Sequence, residues 1–485
     1  MKHKYLPLLI AVACAGFAST AQASGYRFGS QSVSAQGTAD ASGAEAADAS
    51  TIFYNPAGLS RLEGTQFVGG GTIVVPHSTY QDTGSKPFSK GNRQPFTGAK
   101  DYAPDAVVAP ALYASKKIND QWTVGAGLFV PYGAKLDYGN DWYGRYAITN
   151  IKLEAIALNP SVSFKLDQHH SFGFGITAEY MKAELGQGVD VAGTVFTLNQ
   201  NPETAKASVA FLNNIALKQG LAAAGAAKTT LMGVLNDGHA KMDGNDWGFG
   251  FNLGYLYQMN EGTRFGISYR SSISHKLKGD TIWDFSQVSN NAAVNGFISV
   301  ASGKVNSKAL VELRTPETLS VNAFHQMDDR WALMGDVTWT RTSRLQNLDI
   351  QFPPTPEGAE RIRQNWKDTY RISLGTNYKY SESLLLRAGI AHDQAPVRSA
   401  ELRHPALPDS DRMQYSVGAN WKLNANSSID LAYSYIDFKD ASLNYKNGCT
   451  PVSPITAACT GNGETTKGLF KTRMQLIGLA YNYKF

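Results

Sequence analysis

Long apolar runs are missing. Past the first 23 residues nothing supplies the ~20 consecutive apolar residues that a membrane-spanning helix needs, which excludes a helical membrane bundle. Cysteine is nearly missing too, with three in 485 residues: Cys14, Cys449 and Cys459. That leaves no disulfide framework and no cysteine-built zinc site. The nine histidines are scattered, apart from the adjacent His169 and His170 in a turn-like stretch, so no metal and no cofactor is called for. A Gly-x-Ser-x-Gly elbow is absent and no Ser/His/acid set stands out, so nothing argues for an enzyme. The net charge of +5 is small and dispersed. It tolerates anionic lipid and argues against a nucleic-acid partner.

The N-terminus is informative. In "MKHKYLPLLIAVACAGFASTAQA" two lysines precede a short apolar core and a small-residue cleavage site, so residues 1–23 read as a secretory signal peptide. Ala11, Val12 and Ala13 make a poor lipidation box ahead of Cys14. In the oxidising compartment that export implies, Cys449 and Cys459, ten residues apart in "NGCTPVSPITAACTGNG", read as a loop-closing disulfide.

The C-terminus sets the class. In "KTRMQLIGLAYNYKF", Ile477, Leu479, Tyr481, Tyr483 and Phe485 share one face, with Gly478, Ala480, Asn482 and Lys484 on the other. Alternation of period two with aromatics at one end describes a strand with one face in lipid. "DWGFGFNLGYLY", "SSIDLAYSYIDF" and "TRFGISYR" repeat the pattern. A soluble sandwich also alternates, but does not place its largest aromatics so regularly at strand ends. Fourteen candidate strands lie near residues 66–79, 105–116, 121–135, 150–166, 170–186, 246–259, 263–277, 308–327, 331–345, 368–380, 383–395, 411–423, 427–440 and 471–485. An even number suits a closed bacterial barrel, and the connections alternate short and long, as periplasmic turns and extracellular loops do. The expectation is an all-β protein: a 14-stranded antiparallel transmembrane barrel over residues 66–485, multi-pass in the bacterial outer membrane.

Two long loops stand out. Residues 187–245 are Ala-rich with apolar residues at helical spacing, including Phe211, and read as one or two amphipathic helices above the barrel. Residues 279–307 carry Trp283, Phe285, Phe297 and Ile298. These either pack on one another or form a greasy landing groove for an apolar solute. Strand alternation puts Arg270, Arg314 and Arg371 on the lumen face beside Glu312 and Asp336. The arginines read either as solute-binding cations or as a charge network.

Residues 24–65 precede the first strand and lack a spanning pattern. A barrel of about 14 strands has a lumen too wide for its own side chains to fill. This Gly/Ala/Ser-rich segment, with a turn fixed at Pro56 and Gly58, suits a plug, or hatch.

The segment "SGYRFGSQSVSAQGTADASGAEAADASTIFYNPAGLSRL", with Asn55, Pro56 and Ala57 as its hallmark, resembles the hatch of the FadL family of outer-membrane transporters. "FVPYGAKLDYG", "WYGRY", "LNPSVSFKL", "GNDWGFGFNLGYLY" and "WKDTYRISLGTNYKY" follow in family order, so the resemblance spans nearly the whole mature chain. It implies a monomeric hatch-closed barrel that takes up long-chain fatty acids or other hydrophobic compounds passively. Extracellular loops would capture the solute, and it would leave sideways through a wall gap at a kink in the third strand. By matching, that gate falls at Pro131 and Gly133, with Asn55, Pro56 and Ala57 holding the hatch against it. Pro131 cannot donate a ladder hydrogen bond and Gly133 weakens a strand, which agrees with interrupted pairing. The family's basic inner-site residues find no secure match here, with Gln187 and Asp349 near those positions. The implied partners are a fatty acid or a neutral hydrocarbon and the surrounding outer-membrane lipid and lipopolysaccharide. The alternatives are an aromatic-hydrocarbon channel and, with less support, a general porin.

Overall fold

The structure, a computed structural model, describes residues 26–86, 99–103, 105–191, 236–288, 292–353, 359–447 and 464–485. The signal segment, Phe211, Cys449, Cys459 and most of the first long loop, including its expected helices, lie outside the described residues.

Fourteen strands close into one antiparallel barrel. They are β1 Thr65–Asp82, β2 Val107–Lys117, β3 Trp122–Asp137, β4 Asn150–Lys165, β5 His170–Val189, β6 Gly238–Gln258 and β7 Thr263–Arg270. Then come β8 Thr318–Gln326, β9 Trp331–Thr340, β10 Thr369–Lys379, β11 Leu384–Asp393, β12 Arg412–Lys422, β13 Ser427–Phe438 and β14 Thr465–Lys484. β14 pairs with β1 from Gln66 opposite Lys484 to Asp82 opposite Gly468, so the sheet has no free edge there. Alternation does its work along each strand. Phe249, Ile267, Leu374 and Leu479 are exposed on the outer face, while Asn252, Ser268, Ser373 and Ala480 are buried within.

Two candidate strands were longer than the wall strands that form. Residues 263–277 break after Arg270 and resume as Ser274–Asp284, and residues 308–327 split into Ser307–Arg314 and β8. The broken ends bond to each other: the Thr315 amide donates to the Ile273 carbonyl at 2.9 Å, and the Ile273 amide to Thr315 Oγ1 at 3.0 Å. Pro316, with no N–H to give, stands at the second break. Segments 274–284 and 307–314 pair as an extracellular hairpin, which 347–351 and 359–363 extend. Alternation continues through both breaks, so the pattern alone hides them. The loop at 279–307 also carries a helix, Ala292–Ser302, that composition did not announce.

Inside the barrel, residues 26–62 form a compact body around α1 Val33–Gln36, α2 Thr51–Tyr54 and a 3-10 helix Pro56–Arg61. Most of its residues are buried. The walls approach it closely where they are glycine: a Cβ on Gly389 would run into the carbonyl of Thr38. The turn there is strained, because Ala39 and Asp40 both hold positive φ, 50° and 56°.

Candidate transport site

The kink in β3 is the first irregularity of the wall. Against β4 the register jumps between Phe129 and Tyr132, so Val130 and Pro131 oppose Ile156 alone. Against β2 the pairing ends at Leu112 opposite Leu128. Residues 107–111 of β2 are therefore paired to β1 and have no ladder partner on their other side. Pro110, which lacks an N–H, sits in this one-sided stretch.

The freed backbone groups of β3 find partners in the lumen body. The Phe28 amide donates to the Pro131 carbonyl at 2.8 Å, and the Gly133 amide to the Tyr26 carbonyl at 2.8 Å. Gln31 fills the step between: its Nε2 donates to the Val130 carbonyl at 2.7 Å and its Oε1 accepts from the Val130 amide at 3.1 Å. Residues 26–31 thus stand where β2 would have been, on the lumen side. Pro131 and Gly133 are both buried in the kink.

Asn55, Pro56 and Ala57 open the 3-10 helix and meet β5 and β6. Asn55 Oδ1 accepts from the Ala57 amide at 3.1 Å and caps the 3-10 helix, while its Nδ2 donates to the Tyr255 carbonyl on β6 at 3.1 Å. Gly173 and Gly254, opposite each other on β5 and β6, leave the space these residues occupy. The motif anchors the body to β5 and β6, two and three strands along from β3, and residues 26–31 with Phe53 meet the kink, Phe53 lying edge-on to Phe129 at 5.0 Å.

Above the body lies an apolar pocket with about 920 Å³ of open space including its mouth. Ala134 of β3, Leu153 of β4, Met242 of β6 and Leu277, Leu313 and Leu345 of the loops line it, with Tyr26 at its base. Its charged lining residues are acids, Glu184 and Asp243. Tyr26 and Leu345 also line a narrow crevice with Arg27, Tyr132, Arg314, Arg344 and Trp366. Arg27 is shared in turn with a polar crevice between the body and the wall, bordered by Asp40, Arg270, Asp336 and Arg371. The three spaces run from greasy to charged past Tyr26 and Arg27.

The expected arginines separate into different roles. Arg270 donates to the Phe53 carbonyl at 3.0 Å and stacks over the Phe53 ring, 4.7 Å from its centroid. Arg371 donates to the Ala39 carbonyl at 3.0 Å, to Asp40 at 3.2 Å and to Ser373 at 2.6 Å. Both are engaged by the lumen body. Arg314 is not on the barrel's lumen face, because its strand belongs to the extracellular hairpin; it is exposed beside the narrow crevice, and Glu312 goes with it. Sequence reasoning missed Arg27, which makes no hydrogen bond or ion pair among the described residues, and Arg264, which clamps the carbonyls of Ala44 and Glu45. Only position in the N-terminal segment could have pointed to Arg27.

Trp283 and Phe285 are buried, Trp283 with its ring 6.0 Å from Phe352, in a loop core one layer behind the pocket. Both belong to one buried apolar cluster with Ile298 and Phe352. Two loop contacts brace the pocket. Arg344 donates to both carboxylate oxygens of Glu317, at 2.9 and 2.7 Å, just before Leu345. Burial works to raise the Glu317 carboxyl, but the hydrogen bonds from Arg344 and Arg341 outweigh it and hold the group down at about 2. His404 is fully buried beside Ala406 and Leu407 of the pocket wall, accepting from the Ala406 amide at 3.1 Å and edge-on to Tyr445. Burial drives its imidazole down to about 3.

Residues 14–485 match the family described as "Outer membrane protein transport protein (OMPP1/FadL/TodX)". A putative outer membrane protein of Neisseria meningitidis is 38% identical over 479 residues, covering 96% of each chain. The long-chain fatty acid transport protein of Escherichia coli O157:H7 is 30% identical over 442 residues, 90% of this chain and 92% of that one. The crystal structure of a Pseudomonas aeruginosa FadL homologue superposes with a TM-score of 0.77 at 22% identity, covering 95% of this chain and 99% of that one.

Proposed function

The chain belongs to the outer membrane protein transport family that includes FadL and TodX, a family of transporters and channels and not of enzymes, and from that premise we propose that it passes long-chain fatty acids or other hydrophobic compounds sideways into the outer membrane. Residues 26–62 act as the hatch of a monomeric barrel. The apolar pocket takes the hydrocarbon part of the solute, and the one-sided edge of β2 beside Pro131 and Gly133 is the exit. The physical sense is that an apolar chain crosses polar lipopolysaccharide badly and enters the bilayer core readily, so the protein shields it only past the sugars. The observation that carries this reading is the junction at Tyr26 and Arg27, where the apolar pocket, a cation without an ion pair among the described residues and the kinked strand meet. A fatty acid would lay its tail among Leu153, Leu277 and Leu313 and bring its carboxylate to Arg27.

A second reading follows from the same pocket. Its charged lining residues are acidic, so a neutral hydrocarbon would bind there without Arg27.

The test is uptake of labelled oleate and of a labelled aromatic hydrocarbon by cells lacking their own transporter and expressing this chain or its Arg27→Gln variant. Loss of oleate uptake alone in the variant supports the acid reading. Hydrocarbon uptake alone, unaffected by the variant, selects the second. Large salt conductance of the purified protein in planar bilayers would instead make it a porin and sink both.

A further inference from the structure

Charged side chains ring the outside of the barrel above the lipid-facing band, and they fall into two different kinds of surface. On β4, β5 and the hairpin the cations sit beside acids: Lys152 with Glu154 at 3.0 Å, Lys182 with Glu184 at 2.9 Å, Lys308 with Asp280 at 2.6 Å and Lys276 with Glu312 at 3.3 Å. That side neutralises itself. On β14 the outward charged positions are Lys467, Lys471 and Arg473, all exposed, with half-buried Leu469 between the two lysines and exposed His77 of β1 in register beside Arg473. Neither Lys467 nor Lys471 has an ion pair among the described residues, and Arg473 reaches only Asp437 of β13, at 4.0 Å. Asp82 on β1 is already occupied, accepting from the Tyr80 hydroxyl and the Gly84 amide at 3.1 Å each.

Height matters as much as charge. Two positions below Arg473 lies Gln475, which accepts from the Tyr433 hydroxyl at 3.1 Å. Below that the same faces carry Ile477 and Leu479 of β14, Ile73 of β1 and Leu431 of β13, all exposed. Arg473 and Lys471 are about 7 Å apart along the strand, a spacing at which two cations share one polyanionic headgroup. They stand where the apolar band gives way to the headgroup layer.

We propose that this face of β14 and β1 is a binding site for a phosphorylated glycolipid of the outer leaflet, of the lipid A class. Arg473 and Lys471 grip the phosphate, with Lys467 and His77 at its margins, and the acyl chains lie along Ile477, Leu479 and Ile73. Arginine suits the phosphate because its planar fork donates two parallel hydrogen bonds. The site anchors the barrel through the wall and takes no part in the pocket, so its failure would leave the transport reading standing.

The test uses the full chain purified in a non-ionic detergent, titrated with bisphosphorylated lipid A, with dephosphorylated lipid A and with phosphatidylglycerol. The wild type is expected to bind bisphosphorylated lipid A about tenfold or more tighter than either of the others, each cation near an anionic headgroup contributing measurably. Lys467→Gln, Lys471→Gln and Arg473→Gln combined should erase that preference, while Lys152→Gln with Lys182→Gln keeps it. Asp437→Asn, which removes the competing acid, should tighten binding and provides a reading independent of whether the triple variant folds. Equal affinity for the three lipids, or no change in either variant, overturns the site.

Discussion

The amide of Gly133 donates to the carbonyl of Tyr26 at 2.8 Å, so a strand of the wall is completed by the first described residues of the chain and not by its neighbouring strand. With Phe28 on Pro131 and Gln31 on Val130, the body gives the Val130 amide and the Val130 and Pro131 carbonyls the partners that a neighbouring strand would have supplied. The same bonds lie on the lumen side of the stretch where β2 and β3 are unpaired. Gly133 stands between Tyr132 and Ala134, which line the lumen spaces, so a side chain added at Gly133 would point to the other face of the strand, into the proposed exit. Gly133→Leu is expected to cut uptake roughly tenfold, about 1.4 kcal/mol on the limiting step. The folded barrel should persist, read from heat-modifiable migration. Unchanged uptake in a folded variant would remove the lateral exit.

The apolar pocket makes a separate demand. Leu277 is buried on the loop hairpin and faces the pocket with Leu153 and Leu313. An acid there has no described cation to meet it within the lining, and a buried unpaired charge is costly. Leu277→Glu should therefore weaken binding of both oleate and a neutral hydrocarbon by more than about tenfold, roughly 1.4 kcal/mol. Fluorescence titration with a labelled fatty acid measures it. Retained affinity would move the binding site elsewhere.

How legible this was depended on which physical pattern carried the information. All fourteen wall strands showed in the alternation, because lipid outside and polar lumen inside act on every second residue. Their ends near the short turns fall within a few residues of expectation; β9, expected from 331, begins at Trp331. The extracellular ends were harder. Strand alternation runs on into hairpins that have left the membrane, which is why Leu277, Leu313 and Arg314 were read as wall residues.

The site was legible in part. The family resemblance put the break at Pro131 and Gly133, and their backbone chemistry agreed with it. What takes the place of the missing neighbour depends on contacts across about 100 residues, Gln31 to Val130 among them, and no local pattern encodes those. Arg371 sat on the expected face, but its engagement with Asp40 became visible only once the lumen body was in place.

That engagement can be tested by itself. Arg371 and Asp40 are both buried, and Asp40 sits in a strained turn also held by Ser30 and the Tyr54 hydroxyl. Removing the cation leaves a buried carboxylate, which costs about 3–5 kcal/mol in such settings. Arg371→Leu is expected to loosen residues 38–40 from β10–β12. Single-channel recordings should show open bursts absent from the wild type, with the barrel still folded. A silent variant would mean that other contacts hold this turn.

Acid should act on the pocket wall through His404. The imidazole is buried against Tyr445 and held at about 3, well below the ordinary histidine value of 6.5. Below pH 6.5 the unfolded segment takes up a proton that the folded one refuses. The stability contributed by the neutral ring is therefore complete above pH 6.5 and is lost as pH falls toward 3, by roughly 1 kcal/mol per pH unit. Glu317 adds to this only lower down, between its ordinary value of 4.5 and about 2. The protection of residues 395–411, measured as hydrogen exchange relative to the intrinsic rate at each pH, should therefore fall on acidification from pH 7 to 5, before Glu317 responds. His404→Gln, which has no proton to gain, should flatten that window while leaving any change below pH 4.5. If protection in the variant falls between pH 7 and 5 as in the wild type, His404 is not what loosens the wall.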